Sequence, residues 1–225
     1  VSIAIIYEDN HLLVVEKPVN MPVQEDRTGD MDLLNALKEM IKDRDNKPGN
    51  VYLGLVHRLD RPVGGAIVFA KTSKAASRLS DILRRRDMDR EYIAVVRGNP
   101  PKENGRLEHH LLKDKKENKV SVVKPGVKEA KKAVLNYEVL GRKGDLTLVS
   151  VRLETGRPHQ IRVQLSAIGC PLYGDQKYGA SVNRPGQQIA LWSRSLSFTH
   201  PVKKEPVCVT SLPPSAEPWS YWSLS

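Results

Sequence analysis

Leu55-Val56-His57-Arg58-Leu59-Asp60-Arg61-Pro62-Val63-Gly64-Gly65 places one carboxylate between two guanidiniums, just ahead of the apolar run Ala66-Ile67-Val68-Phe69-Ala70. The run reads as a buried strand. Charged residues are rarely buried unless paired, so an aspartate flanked by arginines at a strand edge has two readings. It is a surface salt bridge, which contributes little, or a carboxylate kept ionised by positive neighbours and aimed at a substrate.

Outward from this stretch the chain alternates short strands with a few helices. Residues 3–7 and 12–16 read as strands around the polar turn Glu8-Asp9-Asn10-His11, and Lys17-Pro18 stops the second because proline cannot donate to a ladder. From 32 to 42, Leu33, Leu34, Leu37, Met40 and Ile41 fall at helical spacing. A second helix opens near Thr72-Ser73, whose hydroxyls suit an N-cap, with Ala75, Ala76, Leu79, Ile82 and Leu83 on its inner face. Strands follow at 92–96, 106–112, 120–123, 133–140 and 146–153. Pro158 suits the first position of a third helix, with Ile161, Leu165 and Ile168 as its buried stripe. Strands at 188–198 and 206–210 precede a turn-rich tail whose Trp219, Tyr221 and Trp222 are expected to fold back on the body. Strand runs with interspersed helices predict an α+β class, in one domain over residues 1–225 with no repeat or linker.

Composition narrows the partners. The 225 residues are 40% hydrophobic and 28% charged, which supports a core and a water-facing surface. No apolar run approaches the roughly 18 residues of a membrane span and no signal-peptide pattern is present, so a cytoplasmic protein with no membrane partner is expected. Cys170 and Cys208, far apart and in no C-x-x-C arrangement, fit ordinary thiols of a reducing compartment. The net charge of +10 favours an anionic partner, because neutralising phosphates releases counterions. Charge concentrates in Lys113-Asp114-Lys115-Lys116-Glu117-Asn118-Lys119, which reads as a contact for an anionic backbone, with Lys115, Lys116 and Lys119 as its candidates. A second cluster, Arg84-Arg85-Arg86, ends a helix, where cations either offset the macrodipole or touch the anionic partner.

A second motif joins the first. Glu154-Thr155-Gly156-Arg157-Pro158-His159-Gln160-Ile161-Arg162-Val163-Gln164-Leu165 and the stretch around Asp60 together resemble the HRLDRxTSG and TGRTHQIRVHL signatures of RluA-type pseudouridine synthases. Residues 7–18, with Asp9 and Lys17-Pro18, resemble that family's opening motif, and Arg90-Glu91-Tyr92-Ile93-Ala94 its K-x-Y-x-A motif. Gly174-Asp175, Tyr178-Gly179 and residues 196–201 resemble its C-terminal part. Among the departures are Val63-Gly64 for Thr-Ser, Pro158 for the second Thr, Asn20 for a common Gly, and Gln24 for a common His. Asparagine tolerates the left-handed region, so the change at 20 is mild.

The resemblance implies a bent, largely antiparallel mixed sheet with flanking helices and a central catalytic cleft. It implies isomerisation of uridine to pseudouridine in structured ribosomal or transfer RNA, without metal or cofactor. The catalytic aspartate falls on Asp60, as nucleophile or base near C1′, and its paired arginine on Arg162. The tyrosine lying against the target base falls on Tyr92. Arg58 is the candidate for RNA contact beside a flipped base, whose extrusion costs a few kcal/mol, and Leu191 for the far wall of the uracil slot. Several relatives carry an N-terminal S4-type RNA-binding module, and the expectation here is a catalytic domain without one, acting as a monomer. His57 and His159 read as scaffold, His11 and His200 as structural, and His109-His110 as either phosphate contacts or solvated side chains. No H-E-x-x-H or paired C-x-x-C spacing suggests a metal. Competing classes are an RNA-binding protein that keeps the fold without catalysis, and an Asp-dependent glycosidic hydrolase. The latter normally needs a second carboxylate, and no matched partner is found near either motif.

Overall fold

A computed structural model describes residues 2–225. In chain order its elements are β1 (Ile5–Glu8), β2 (Leu12–Lys17), α1 (Leu33–Arg44), β3 (Gly54–Leu55), β4 (Gly64–Ala70) and α2 (Ser73–Arg84). There follow β5 (Asp89–Arg97), β6 (Asn104–Asp114), β7 (Lys119–Val123), β8 (Lys131–Lys143), β9 (Leu146–Leu153), α3 (Gln160–Ala167), β10 (Leu191–Thr199) and β11 (Pro206–Thr210). The class is α+β, as the strand and helix pattern predicts. Contacts divide the chain into two units, the first running to Arg90 with Ser193–Pro213 added, the second Glu91–Trp192 with Pro214–Ser225.

In the first unit the helix starts follow their capping chemistry. Asp32 Oδ1 accepts from Asn35 N at 3.0 Å ahead of α1, and Thr72 Oγ1 accepts from Ala75 N at 3.1 Å ahead of α2. Each such cap is worth about 1 kcal/mol. β1, β2 and β4 are antiparallel neighbours, with β3 also on β4. β11 is antiparallel to β10, which lies beside β4. All seven residues of β4 are buried, so the strand is covered on both faces. Ala75, Leu79 and Ile82 of α2 close one cluster with Leu12, Val14, Ala66, Val68, Leu196 and Phe198. Gly65, at φ +114, is indispensable to this arrangement, since a Cβ there would lie 2.2 Å from the Ser193 carbonyl oxygen. The arginine cluster turns out to be a helix end. Arg84 closes α2, Arg85 caps it and Arg86 is left-handed at φ 61, while Asp81 pairs with both Arg84 and Arg85.

The second unit is an antiparallel order β5-β9-β8-β6-β7. Ile93 and Val95 of β5 meet Leu146, Leu148, Ala190, Trp192 and Trp219, with Tyr221 and Trp222 packed against them. The aromatic tail therefore folds back as its composition predicts. Strands β6 and β8 run past the apolar stretches at 106–112 and 133–140, because backbone pairing continues through polar residues at both ends.

The third helix differs from expectation in two ways. Pro158 is not its first residue. His159 adopts a left-handed φ of 54, which inserts a turn, and the helix begins at Gln160. Its burial is not a stripe either, since Gln160, Ile161, Arg162, Val163, Gln164 and Leu165 are all buried and Ile168 only caps the end. A helix buried all round must satisfy its polar side chains internally.

Candidate active site

Asp60 opens the turn between β3 and β4, with the Val63 N–H donating to its carbonyl at 2.9 Å. The side chain is half-buried, Leu59 before it is buried and Arg58 is exposed. Val63, one of the departures from the family signature, is itself buried. Arg61 turns away from the role its position suggests. Its guanidinium donates to Asp30 at 2.8 Å, Asp26 at 2.9 Å and Thr28 Oγ1 at 2.8 Å, and holds the Asp26 and Asp30 carboxyls below the usual carboxylate range.

The cation beneath the turn is a residue the sequence reading left unassigned. Lys17 is fully buried, and its Nζ donates to the carbonyls of Pro18 at 2.9 Å, Met21 at 2.6 Å and Arg61 at 2.9 Å. Burial pushes its pKa down to about 7, while the Asp60 carboxylate acts to raise it. Three acceptors match the three hydrogens of an ammonium, so the geometry fits the charged form. The signal was present in the Glu16-Lys17-Pro18 motif, but spacing alone does not reveal a lysine that binds main-chain carbonyls.

His57 behaves as scaffold. Its Nε2 accepts from Val68 N at 3.0 Å, which leaves the ring proton on Nδ1. Burial, with Arg90 adding to it, pushes the imidazole down to about 3, so the ring is neutral at pH 7. His200 is likewise structural: its Nδ1 accepts from Val202 N and Lys203 N, and its Nε2 meets Asp9 at 2.7 Å.

In the second unit, Tyr92 is buried on β5 opposite Val151. Strand alternation puts it on the face away from the tryptophan cluster that holds Ile93 and Val95. Leu191, also buried, opens β10 next to Ala190, whose carbonyl accepts from Val95 N at 3.0 Å. Ala190 and Trp192 belong to the tryptophan cluster, so alternation turns Leu191 to the same side as Tyr92.

Arg162 lies in α3 and is buried, with Nε and Nη2 donating to Asp175 Oδ2 and Oδ1, both at 2.9 Å. Its guanidinium stands 5.1 Å from the centre of the Tyr178 ring. The start of α3 is fixed by Gln160, whose Oε1 accepts from Thr155 Oγ1 at 2.7 Å and Arg157 N at 2.9 Å and whose Nε2 donates to Val134 O at 3.0 Å. Gln164 donates to His109 Nδ1 at 2.9 Å, so His109 braces the helix rather than reaching outward. Asp175 and Tyr178 sit in a motif visible in the sequence, yet nothing local announces them as partners of Arg162.

Lys115 and Lys116 are exposed in the turn joining β6 to β7, and Lys119 is exposed at the start of β7. Asp114 Oδ1 shapes the turn by accepting from Lys116 N at 2.8 Å and Glu117 N at 3.1 Å. The structure thus groups Tyr92, Arg162, Leu191 and the three lysines in the second unit, with Asp60 and Arg58 in the first.

The profile of the RNA pseudouridylate synthase family matches residues 11–167, a span that holds both motifs. The chain belongs to that family. It is 38% identical over 200 residues to an uncharacterized RNA pseudouridine synthase of Bacillus subtilis, covering 88% of this chain and 64% of that one. It is 34% identical over 219 residues to ribosomal large subunit pseudouridine synthase D of Zymomonas mobilis, covering 92% and 68%. The chain thus spans about two thirds of the length of these relatives. Among solved structures, human RNA pseudouridylate synthase domain containing 4 aligns with a TM-score of 0.79 at 23% identity, covering 94% of this chain and 88% of that one. That likeness establishes a pseudouridylate synthase fold. Among the described residues, no helix of this family member is long and apolar enough to cross a membrane.

Proposed function

We propose that this chain is the catalytic domain of an RNA pseudouridine synthase acting as a monomer in the cytoplasm on structured ribosomal or transfer RNA. The observation that carries the reading is the half-buried carboxylate of Asp60 in a turn whose main chain is fastened by buried Lys17, inside the stretch matched by the family profile. Asp60 serves as nucleophile at C1′ or as base for a sugar proton while uracil detaches, rotates and rejoins through C5. Arg162 is the arginine that the reaction pairs with Asp60, a role supported by its place in the second family motif. Tyr92 and Leu191 form the walls of a uracil slot, a role supported by their shared face, and the Tyr92 hydroxyl assists removal of the C5 proton. Arg58 contacts RNA beside the flipped base, and Lys115, Lys116 and Lys119 bind phosphate. The isomerisation is redox-neutral and conserves every atom.

The test is pseudouridine mapping of RNA from cells with and without the protein, complemented by wild type or Asp60→Asn. Wild type should restore the missing sites, and Asp60→Asn should restore none while binding RNA with nearly unchanged affinity. Turnover by Asp60→Asn near the wild-type rate removes Asp60 from the mechanism.

A further inference from the structure

Tyr178 touches both the lysine-bearing hairpin and Arg162. Its hydroxyl accepts from the Val120 N–H of β7 at 2.9 Å and lies 2.6 Å from His159 Nδ1. A phenol has one proton, so accepting from Val120 leaves that proton for the imidazole nitrogen. Its ring lies 5.1 Å from the Arg162 guanidinium. Its main-chain N–H, at 3.2 Å, and that of Lys177, at 3.0 Å, donate to Asp175 Oδ1, the oxygen that also takes Arg162 Nη2. Lys177 Nζ reaches the Asn118 carbonyl in the hairpin turn at 2.7 Å, and Ser166 Oγ fastens the Tyr178 carbonyl to the end of α3 at 2.7 Å. Leu111, Val120, Ala133 and Val163 form the apolar wall against which the ring packs.

We propose that Tyr178 is a positioning residue that transmits engagement of the hairpin by RNA phosphate to Arg162. This rests on the proposed function, in which the hairpin lysines bind RNA and Arg162 serves the reaction. A hairpin drawn toward phosphate carries Val120 with it. The phenol keeps its bond to Val120 only if the ring moves too, and the ring stands against the guanidinium. The connection is one residue long and made of contacts with defined geometry, which is the physical requirement for coupling between sites. A tyrosine that merely filled space would hold both neighbours without making either depend on the other.

Tyr178→Phe keeps the ring and removes both hydroxyl contacts. The first readout is the Arg162 Nε–H resonance in isotope-labelled full chain, with oligoadenylate as probe because it offers phosphates and no uracil. Oligoadenylate should shift this resonance in the wild type. The shift should vanish in Tyr178→Phe, whose affinity stays within about twofold, the loss of one neutral hydrogen bond remote from the ligand being small. An Arg162 resonance that does not move in the wild type, or moves equally in Tyr178→Phe, overturns the proposal.

The second readout is the rate at saturating RNA. Tyr178→Phe should lower it about tenfold with little change in KM, the signature of an interaction realised in the transition state. Combining it with Lys115→Ala, Lys116→Ala and Lys119→Ala should add no further loss of rate; losses that multiply overturn the coupling. A wild type that isomerises no RNA defeats the proposed function, and the oligoadenylate arm then still decides the coupling.

Discussion

The turn that carries Asp60 is fastened through main-chain atoms, whereas Arg162 is fastened through side chains. Around Asp60, the Val63 N–H closes the turn and the Arg61 carbonyl takes Lys17 Nζ. Neither contact depends on the side chain at 63 or 64, so Val63-Gly64 can stand where the family signature has two hydroxyls. Arg162 instead needs the carboxylate of Asp175 and a helix start held by the amide of Gln160. Contacts to main-chain carbonyls tolerate variation at the side chains nearby, whereas the forked pair of Arg162 demands a carboxylate at 175.

The sharpest way to break this comparison is Asp175→Ala. It leaves a buried guanidinium without its forked partner, and removing one side of a buried ion pair costs about 3–5 kcal/mol. A urea melt should show that loss. A change below about 1 kcal/mol would mean that Arg162 relaxes to another partner, which measured exposed pairs resemble.

Lys17→Met should cost less, about 1–3 kcal/mol, because three carbonyls lose a donor while the volume stays filled. Turnover should fall further than stability, since the Arg61 carbonyl beside Asp60 is released. A stability loss as large as that of Asp175→Ala would erase the distinction between the two kinds of fastening.

The smallest effect is one of pH, and it belongs to the first unit. Burial holds His57 at about 3, so below pH 6.5 the unfolded chain takes up a proton that the folded chain refuses, and stability falls with pH. Glu8, held at about 2 by Arg44 and then Lys71, adds a loss as pH falls below 4.5. Between pH 7 and 5 the His57 contribution is worth about 1–2 kcal/mol by linkage, and His109, also pushed down by burial, acts in the same direction. His57→Gln should flatten the melt over that range, and an unchanged slope would show that the folded ring accepts the proton.

What the sequence made legible was local. Apolar spacing located α1, apolar spacing with the cap Thr72 located α2, and Asn20 adopts the left-handed φ of 61 that its side chain tolerates. What it hid was long-range. Proline chemistry argued for Pro158 at a helix start, but Gln160 bonds to Thr155 and to Val134 on β8, and those contacts move the start two residues on. The same applies to Arg61, whose charge is taken by Asp26 and Asp30, and to Lys17, whose partners are carbonyls that carry no sequence signal. Tyr178 stood in a visible motif, yet its role depends on its bond to Val120 in a hairpin 58 residues away in the chain.

The first unit is completed by chain that arrives late. The strand holding Ala66 and Val68 has β10 on one side, and Ser193 Oγ bonds to the Ala66 carbonyl at 2.7 Å. Between Arg90 and Ser193 lies most of the second unit. At a synthesis rate of about 5–20 residues per second, the edge of β4 therefore waits roughly 6–25 s on the ribosome for its neighbour. During that interval it presents unpaired amides and carbonyls, the feature that invites strands of other chains to add. Newly made chains are thus most vulnerable to association before residue 193 emerges, and the aromatic tail that completes the second unit is made later still.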